Sequence, residues 1–152
     1  MTFQELAALA ACNNVEVHRR DSDGGDRLSR FRQDLRDVCC EGEGEGGADE
    51  ADARPKRMIA SFSRAALQQT GSGHFSPIGA LEPASDMALV MDVARFKYSP
   101  FWAPVEMLHD AICTTDEVCG ESRGYLLISK AEDQTGAQVN TCAGSCGCAS
   151  AA

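Results

Sequence analysis

The sequence predicts an α+β fold, with helices first and a mostly antiparallel sheet after them. Two observations carry this. In the N-terminal part, Leu28, Phe31, Leu35 and Val38 recur at three and four positions, the period of an amphipathic helix. From Met58 onward the pattern becomes short apolar runs broken by turns rich in Gly, Pro and Asp.

The elements follow in order. Phe3 to Ala11 reads as a helix, with Phe3, Leu6, Ala7 and Ala10 on one face. Val15-Glu16-Val17-His18 alternates as a short strand, and Asp21 to Asp26 is a polar turn. The helix through Leu28 and Val38 ends near Cys40. Glu41 to Ala53 holds Gly, Ala, six acids and no base, within an insert spanning 41–57. Such a segment has nothing to bury and reads as a mobile loop, with metal collection as the alternative.

Met58 to Ser63 is a strand, Arg64 to Gln69 one helical turn, and Thr70 to Gly73 a flexible turn that delivers His74. Strands His74–Ala80 and Met87–Val93 flank the turn Glu82-Pro83-Ala84-Ser85-Asp86. Phe96 to Ala103 reads as an aromatic-rich loop. Pro104 suits the first position of a helix to about Cys113, with Val105, Leu108 and Ile112 facing inward. Gly124 to Ser129 is a last buried strand. The expected layout is one domain over 1–130 and a small, polar tail over 131–152.

Fourteen basic residues against 23 acidic ones give a net charge of −9. No basic stripe is present to neutralise phosphates, which argues against a nucleic-acid partner. No apolar run approaches the ~18–20 residues a membrane helix needs, so no membrane partner is expected. Met1 to Glu5 lacks the charged start of a secretory leader, so the expected location is cytoplasmic. In that reducing setting, eight cysteines suggest metal or thiol chemistry more than disulfides. Their spacing is not the paired CxxC of a zinc ribbon. Cys142, Cys146 and Cys148 are the best metal candidates, because clustered thiolates suit a soft ion such as Cd(II), Cu(I) or Zn(II); the alternative is incidental thiols on a tail. The neighbours Cys39 and Cys40 are expected as thiols, and His18 and His109 as ordinary surface or helix residues.

The pair with chemical promise is His74 and Asp92. In a hairpin whose turn centres on Pro83 they sit opposite one another, with Cβ atoms ~4.5–5.5 Å apart, and a centre one residue off leaves them diagonal neighbours at ~7–8 Å. A carboxylate there fixes the imidazole tautomer and leaves the other ring nitrogen to act as a base towards a nucleophile. The plainer alternatives are a surface histidine and an aspartate that caps the next turn. Glycines before the histidine, in Gly71-Ser72-Gly73-His74, let backbone or substrate approach closely.

These residues carry a resemblance. The run Thr70-Gly71-Ser72-Gly73-His74-Phe75-Ser76-Pro77-Ile78-Gly79, the stretches Met87 to Asp92 and Val93 to Pro104, the segment Arg123 to Lys130 and the opening Phe3 to Ala7 resemble phytochelatin synthase. The resemblance spans about residues 3–130 and implies a papain-like fold, mainly the sheet lobe that presents His and Asp. It implies an acyltransferase that attacks glutathione through a cysteine thioester. The γ-Glu-Cys unit then passes to a second glutathione or a phytochelatin, serving heavy-metal detoxification. His74 is then the acid–base and Asp92 its orienter; Asp116 and Arg123 match positions that contact the γ-glutamyl group; Arg95 and Tyr98 match positions near the acceptor. An ordinary ion pair is the alternative for Arg123. Heavy-metal ions such as Cd or Zn are expected as activators, mainly as the glutathione thiolate complex, so glutathione, phytochelatins and metal ions are the expected partners.

The family's nucleophile segment has no counterpart in the sequence, and Cys12 matches a family cysteine that is not the nucleophile. The expectation is the C-terminal part of a catalytic domain. Its bare inter-lobe face would make it poorly soluble alone or a homodimer. The competing reading is a non-catalytic metal-binding or regulatory fragment of the same fold.

Overall fold

A computed structural model describes residues 2–13, 15–20, 26–40, 56–118 and 120–130. The predicted acidic loop and the cysteine tail, with Cys142, Cys146 and Cys148, lie outside these residues. The elements in chain order are α1 (Phe3–Ala11), β1 (Val15–Arg20), α2 (Arg27–Cys39), β2 (Arg57–Ser63), β3 (Gly73–Glu82), β4 (Met87–Val90), β5 (Phe101–Pro104), α3 (Val105–Cys113) and β6 (Tyr125–Lys130). The α+β class is as expected.

Helices α1 and α2 start where side chains satisfy free backbone N–H groups. Thr2 and Glu5 form a reciprocal capping box at α1. Asp26 accepts from the Ser29 N–H at the start of α2. Pro104 is the N-cap of α3 rather than its first helical residue, one position off the sequence expectation.

The six strands form one sheet in the order β1-β6-β2-β3-β4-β5, and every neighbouring pair is antiparallel. Helices α2 and α3 pack on one face. The core between the layers holds Phe31 and Leu35 of α2 and Leu108 and Ile112 of α3. From the sheet it takes Met58, Ala60, Phe62, Ile78, Val90, Tyr125 and Leu127. Burial of this kind contributes roughly 25 cal/mol per Å² of apolar surface, so these fully covered side chains dominate the stability. Among the polar groups held inside, the buried Tyr125 hydroxyl donates to Asp34 Oδ2 at 2.7 Å, tying β6 to α2. No described helix is long and apolar enough to cross a membrane.

Three expectations are corrected. Phe101 to Pro104 is an edge strand, not loop: its burial alternates, with Ala103 inward and Trp102 outward, and it pairs with β4 in register Leu89↔Trp102. The β4 strand stops at Val90 instead of Val93, because the Asp92 carboxylate accepts from the Ala94 N–H and turns the chain. The hairpin register is Glu82↔Met87 and Leu81↔Ala88, so His74 and Asp92 are not opposed in the ladder. A bulge between Ile78 and Ala80 shifts the register further, and the 2.9 Å bond from the Met91 N–H to the Pro77 carbonyl follows it. Arg32 of α2 makes a two-pronged ion pair with Asp86 at the hairpin tip, which fastens the hairpin to the helix layer.

Candidate active site

His74 lies near the start of β3, where its ladder partner is Phe62 on β2. That register puts the imidazole on the core face, with its ring edge-on to Phe62 at 6.0 Å between centroids. Asp92 reaches it from just past the end of β4: His74 Nε2 stands 3.0 Å from Asp92 Oδ1. The two meet because the chain turns at Asp92, not because the hairpin opposes them. The same oxygen also accepts from the Ala94 N–H at 2.8 Å, so the turn-capping contact stands beside the contact to His74.

Sequence reasoning missed Arg64. Its side chain is buried at 4% exposure beside an aspartate at 1%. Arg64 Nη2 donates to Asp92 Oδ1 at 3.1 Å, and Nη1 lies 2.8 Å from Oδ2. The second contact is an ion pair without a directed hydrogen bond, so Oδ2 keeps charge contact but no well-aimed donor. Nη1 also donates to Gln69 Oε1 at 2.6 Å, and the guanidinium sits 4.7 Å from the Tyr98 ring centroid. One signal in the sequence pointed here: a buried carboxylate needs a cation, and Arg64 is the base that ends the apolar β2 run.

Charge follows from this packing. Burial alone pushes the Asp92 carboxyl up; the Arg64 guanidinium, the Ala94 N–H and the imidazole outweigh it and hold the group below the ordinary carboxylate range. Burial pushes the His74 imidazole down, and Arg64 adds to that against the pull of Asp92. At neutral pH the arrangement is an aspartate accepting from a neutral imidazole through Nε2–H, which leaves Nδ1 as the free base.

A cavity of about 400 Å³ opens beside the histidine, lined by Ser72, Gly73, His74, Phe75, Val93, Asp116, Glu117, Val118 and Arg123. Asp116 and Arg123 thus share this cavity with His74. Arg123, 6% exposed, donates from Nη1 to Asp116 Oδ2 at 3.1 Å. Among the described residues its buried Nε has no hydrogen-bond partner. The close approach of Arg123 explains Gly73, because a Cβ there would stand 1.7 Å from Arg123 Nη1. Asp116 also accepts from the Val118 N–H, which closes the turn that carries it.

Arg95 and Tyr98 do not line this cavity. Arg95 lines a larger one of about 720 Å³ on the far side of Asp92, with Arg57, Cys39 and Met91. The smaller cavity is the better candidate, since it alone gathers the base, a carboxylate and a guanidinium. The Tyr98 hydroxyl meets the Thr70 N–H at 2.9 Å and the Thr70 hydroxyl at 3.1 Å, bracing the turn that leads into His74. None of Cys12, Cys39, Cys40 and Cys113, the thiols among the described residues, lines the His74 cavity. Among the described residues no three His, Cys, Asp or Glu side chains gather as a metal-ligand group.

Fold and site together define an α+β protein with a hydrogen-bonded histidine–aspartate pair beside a charge-lined cavity. Comparison with known proteins gives the family. Residues 1–125 match the family model of phytochelatin synthase, and the chain belongs to that family. It is similar to glutathione gamma-glutamylcysteinyltransferase 1 of Triticum aestivum, at 50% identity over 130 residues, 86% of this chain and 23% of that protein. It is 41% identical to glutathione gamma-glutamylcysteinyltransferase 3 of Lotus japonicus over 130 residues, 86% of this chain and 24% of that one. A glutathione gamma-glutamylcysteinyltransferase of Schizosaccharomyces pombe is 31% identical over 128 residues, 84% of this chain and 28% of the relative. The chain therefore spans about a quarter of the length of these relatives.

Proposed function

We propose that this chain supplies the acid–base half of an acyl transfer that moves the γ-Glu-Cys unit of glutathione to another glutathione or to a phytochelatin. The observation that carries the reading is the His74–Asp92–Arg64 arrangement opening onto a cavity with Arg123 and Asp116. His74 takes the proton of an attacking cysteine thiol and returns it to the departing glycine amine. Asp92 holds the imidazole and stabilises its charged form as it develops. Arg123 and Asp116 suit the carboxylate and ammonium ends of a γ-glutamyl group, which would exchange partners with their mutual ion pair. The reading takes the attacking thiol to come from outside this chain's 152 residues, in a papain-like arrangement whose other lobe covers the exposed cavity rim at Val93 and Val118. A metal ion such as Cd(II) enters as its glutathione thiolate complex, as substrate.

Two measurements test this. Glutathione titrated into the chain should shift the His74 ring and Arg123 side-chain NMR signals saturably; if neither moves, the assignment of the cavity fails. Mass spectrometry of glutathione and Cd(II) with the chain should show no (γ-Glu-Cys)2-Gly or free γ-Glu-Cys above a His74→Ala control. Product above that control would mean that one of the chain's own thiols attacks, contrary to the proposal.

A further inference from the structure

The cavity of about 720 Å³ on the far side of Asp92 has no part in the roles given above. Its size falls within the ~300–1,000 Å³ of small-ligand sites. Its walls are largely apolar, and its polar lining is Arg57, Arg95, Asp92 and Cys39. Arg57 comes from β2 and Arg95 from the segment after β4, so two separate elements bring guanidiniums to one hollow. Among the described residues neither guanidinium has a carboxylate partner; Arg57 Nη1 donates to the Lys56 carbonyl at 2.8 Å. The carboxylate in the lining, Asp92, is already balanced by Arg64. The hollow is therefore cationic within a chain whose net charge is −9. A cleft of that kind gathers anions, and a guanidinium fork matches a carboxylate.

Cys39 narrows the class of ligand. It ends α2, half-buried, and lines the cavity, whereas its neighbour Cys40 is exposed and does not. Burial and the nearby Cys40 raise the Cys39 thiol, and the Arg57 guanidinium pulls the other way. The thiol is thus protonated at rest, but a thiolate of raised pKa is the stronger nucleophile once it forms. Its exchange with a disulfide depends on how well the cavity holds that disulfide beside it.

We propose that this cavity is a thiol-modification site, in which Arg57 and Arg95 hold an anionic disulfide by its carboxylates and Cys39 forms a mixed disulfide with it. Glutathione disulfide represents the class. The Cys39 thiolate attacks one sulfur, the S–S bond of the disulfide breaks as the new one forms, and the departing thiolate takes up the proton that Cys39 gave. The disulfide is itself the oxidant. The site does not rest on the acyl-transfer reading, since neither Cys39 nor the two arginines line the His74 cavity.

The test compares glutathione disulfide with cystamine, a cationic disulfide, on the whole chain carrying Cys40→Ser, which prevents exchange between the neighbours. Unreacted thiols are capped with N-ethylmaleimide and the chain is cleaved with trypsin. Exposed Cys12, alone in the peptide ending at Arg19, is the reference for intrinsic reactivity; Cys39 falls in the peptide between Arg36 and Lys56. Relative to Cys12, Cys39 should favour glutathione disulfide over cystamine by on the order of tenfold, the low end of what a charged cleft contributes. Replacing both guanidiniums, Arg57→Gln with Arg95→Gln, should abolish that preference. Both arginines are exposed and outside the core, so the fold tolerates the change. A Cys39 that stays unmodified, a preference no greater than that of Cys12, or one that survives the glutamine pair overturns the proposal.

Discussion

Arg64 shows how one buried side chain sets the charge state of another. Its fork meets both oxygens of a carboxylate that is otherwise sealed from water. Arg64→Met leaves that charge uncompensated, and the expected cost is about 3–5 kcal/mol, read by urea unfolding. The same change removes the positive charge that helps keep His74 neutral, so the His74 titration followed by NMR should move to higher pH. Arg64→Lys keeps the charge and should leave the midpoint near its original position. A midpoint in Arg64→Met that stays put or falls would show that Arg64 does not tune the histidine. The sequence held His74 and Asp92 as a pair, but for a reason the structure replaces. Index arithmetic placed them across a ladder, whereas a backbone turn at Asp92 brings them together. Arg64 escaped because its place at the end of the apolar β2 run is a weak local mark of burial, and the aspartate that decides it lies far off in the chain.

At the scale of elements, α2, β2 and the β3–β4 hairpin were legible because period and turn chemistry are local. The edge strand β5 was not. Its aromatic residues lie between Pro100 and Pro104, and that bracketing resembles loop until β4 supplies a partner. The bulge at Gly79 was equally hidden, although it sets where Met91 and Asp92 emerge. A Cβ at Gly79 would meet Met91 Cγ at 2.8 Å and Sδ at 3.1 Å. Gly79→Ala should therefore destabilise the chain by roughly 1–3 kcal/mol through overpacking. Met91→Ala should relieve much of that cost. A double-mutant cycle in denaturant measures the coupling, and strictly additive effects would mean that the bulge does not depend on this contact.

For the whole molecule, the titrating groups lean one way in acid. Burial lowers His74 and His109; Asp86 is lowered by its Arg32 hydrogen bond, and Asp92 by its Arg64 and Ala94 partners against burial. A lowered folded-state value means that the unfolded chain binds more protons as pH falls. Stability should thus decline in two steps, first as pH drops through about 6.5, the ordinary histidine value, and again below about 4, the ordinary aspartate value. Cys39 and Cys113, both raised by burial, act oppositely, so stability should also fall as pH rises beyond about 8.5. Thermal midpoints across this range check it, and a midpoint that climbs between pH 7 and 5 would contradict the two histidine assignments. Charge balance and class could be read from the sequence; strand order could not, because pairing partners far apart in the chain leave no local trace.

That strand order dictates when the protein can become itself. Of the described strands, β6 is made last yet is wedged between β1, made first, and β2. While the chain is being synthesised, β1 lacks its strand partner among the described residues, and the β2 edge of the β2 to β5 sheet stays raw. Only when Tyr125 to Lys130 leaves the ribosome does that edge close, β1 gain its neighbour and the Tyr125 hydroxyl find Asp34. Assembly is therefore all at once and late, the slow regime of chains dominated by distant pairings. A nascent copy that stalls just short of Tyr125 would hold its histidine and aspartate on a sheet that cannot yet finish.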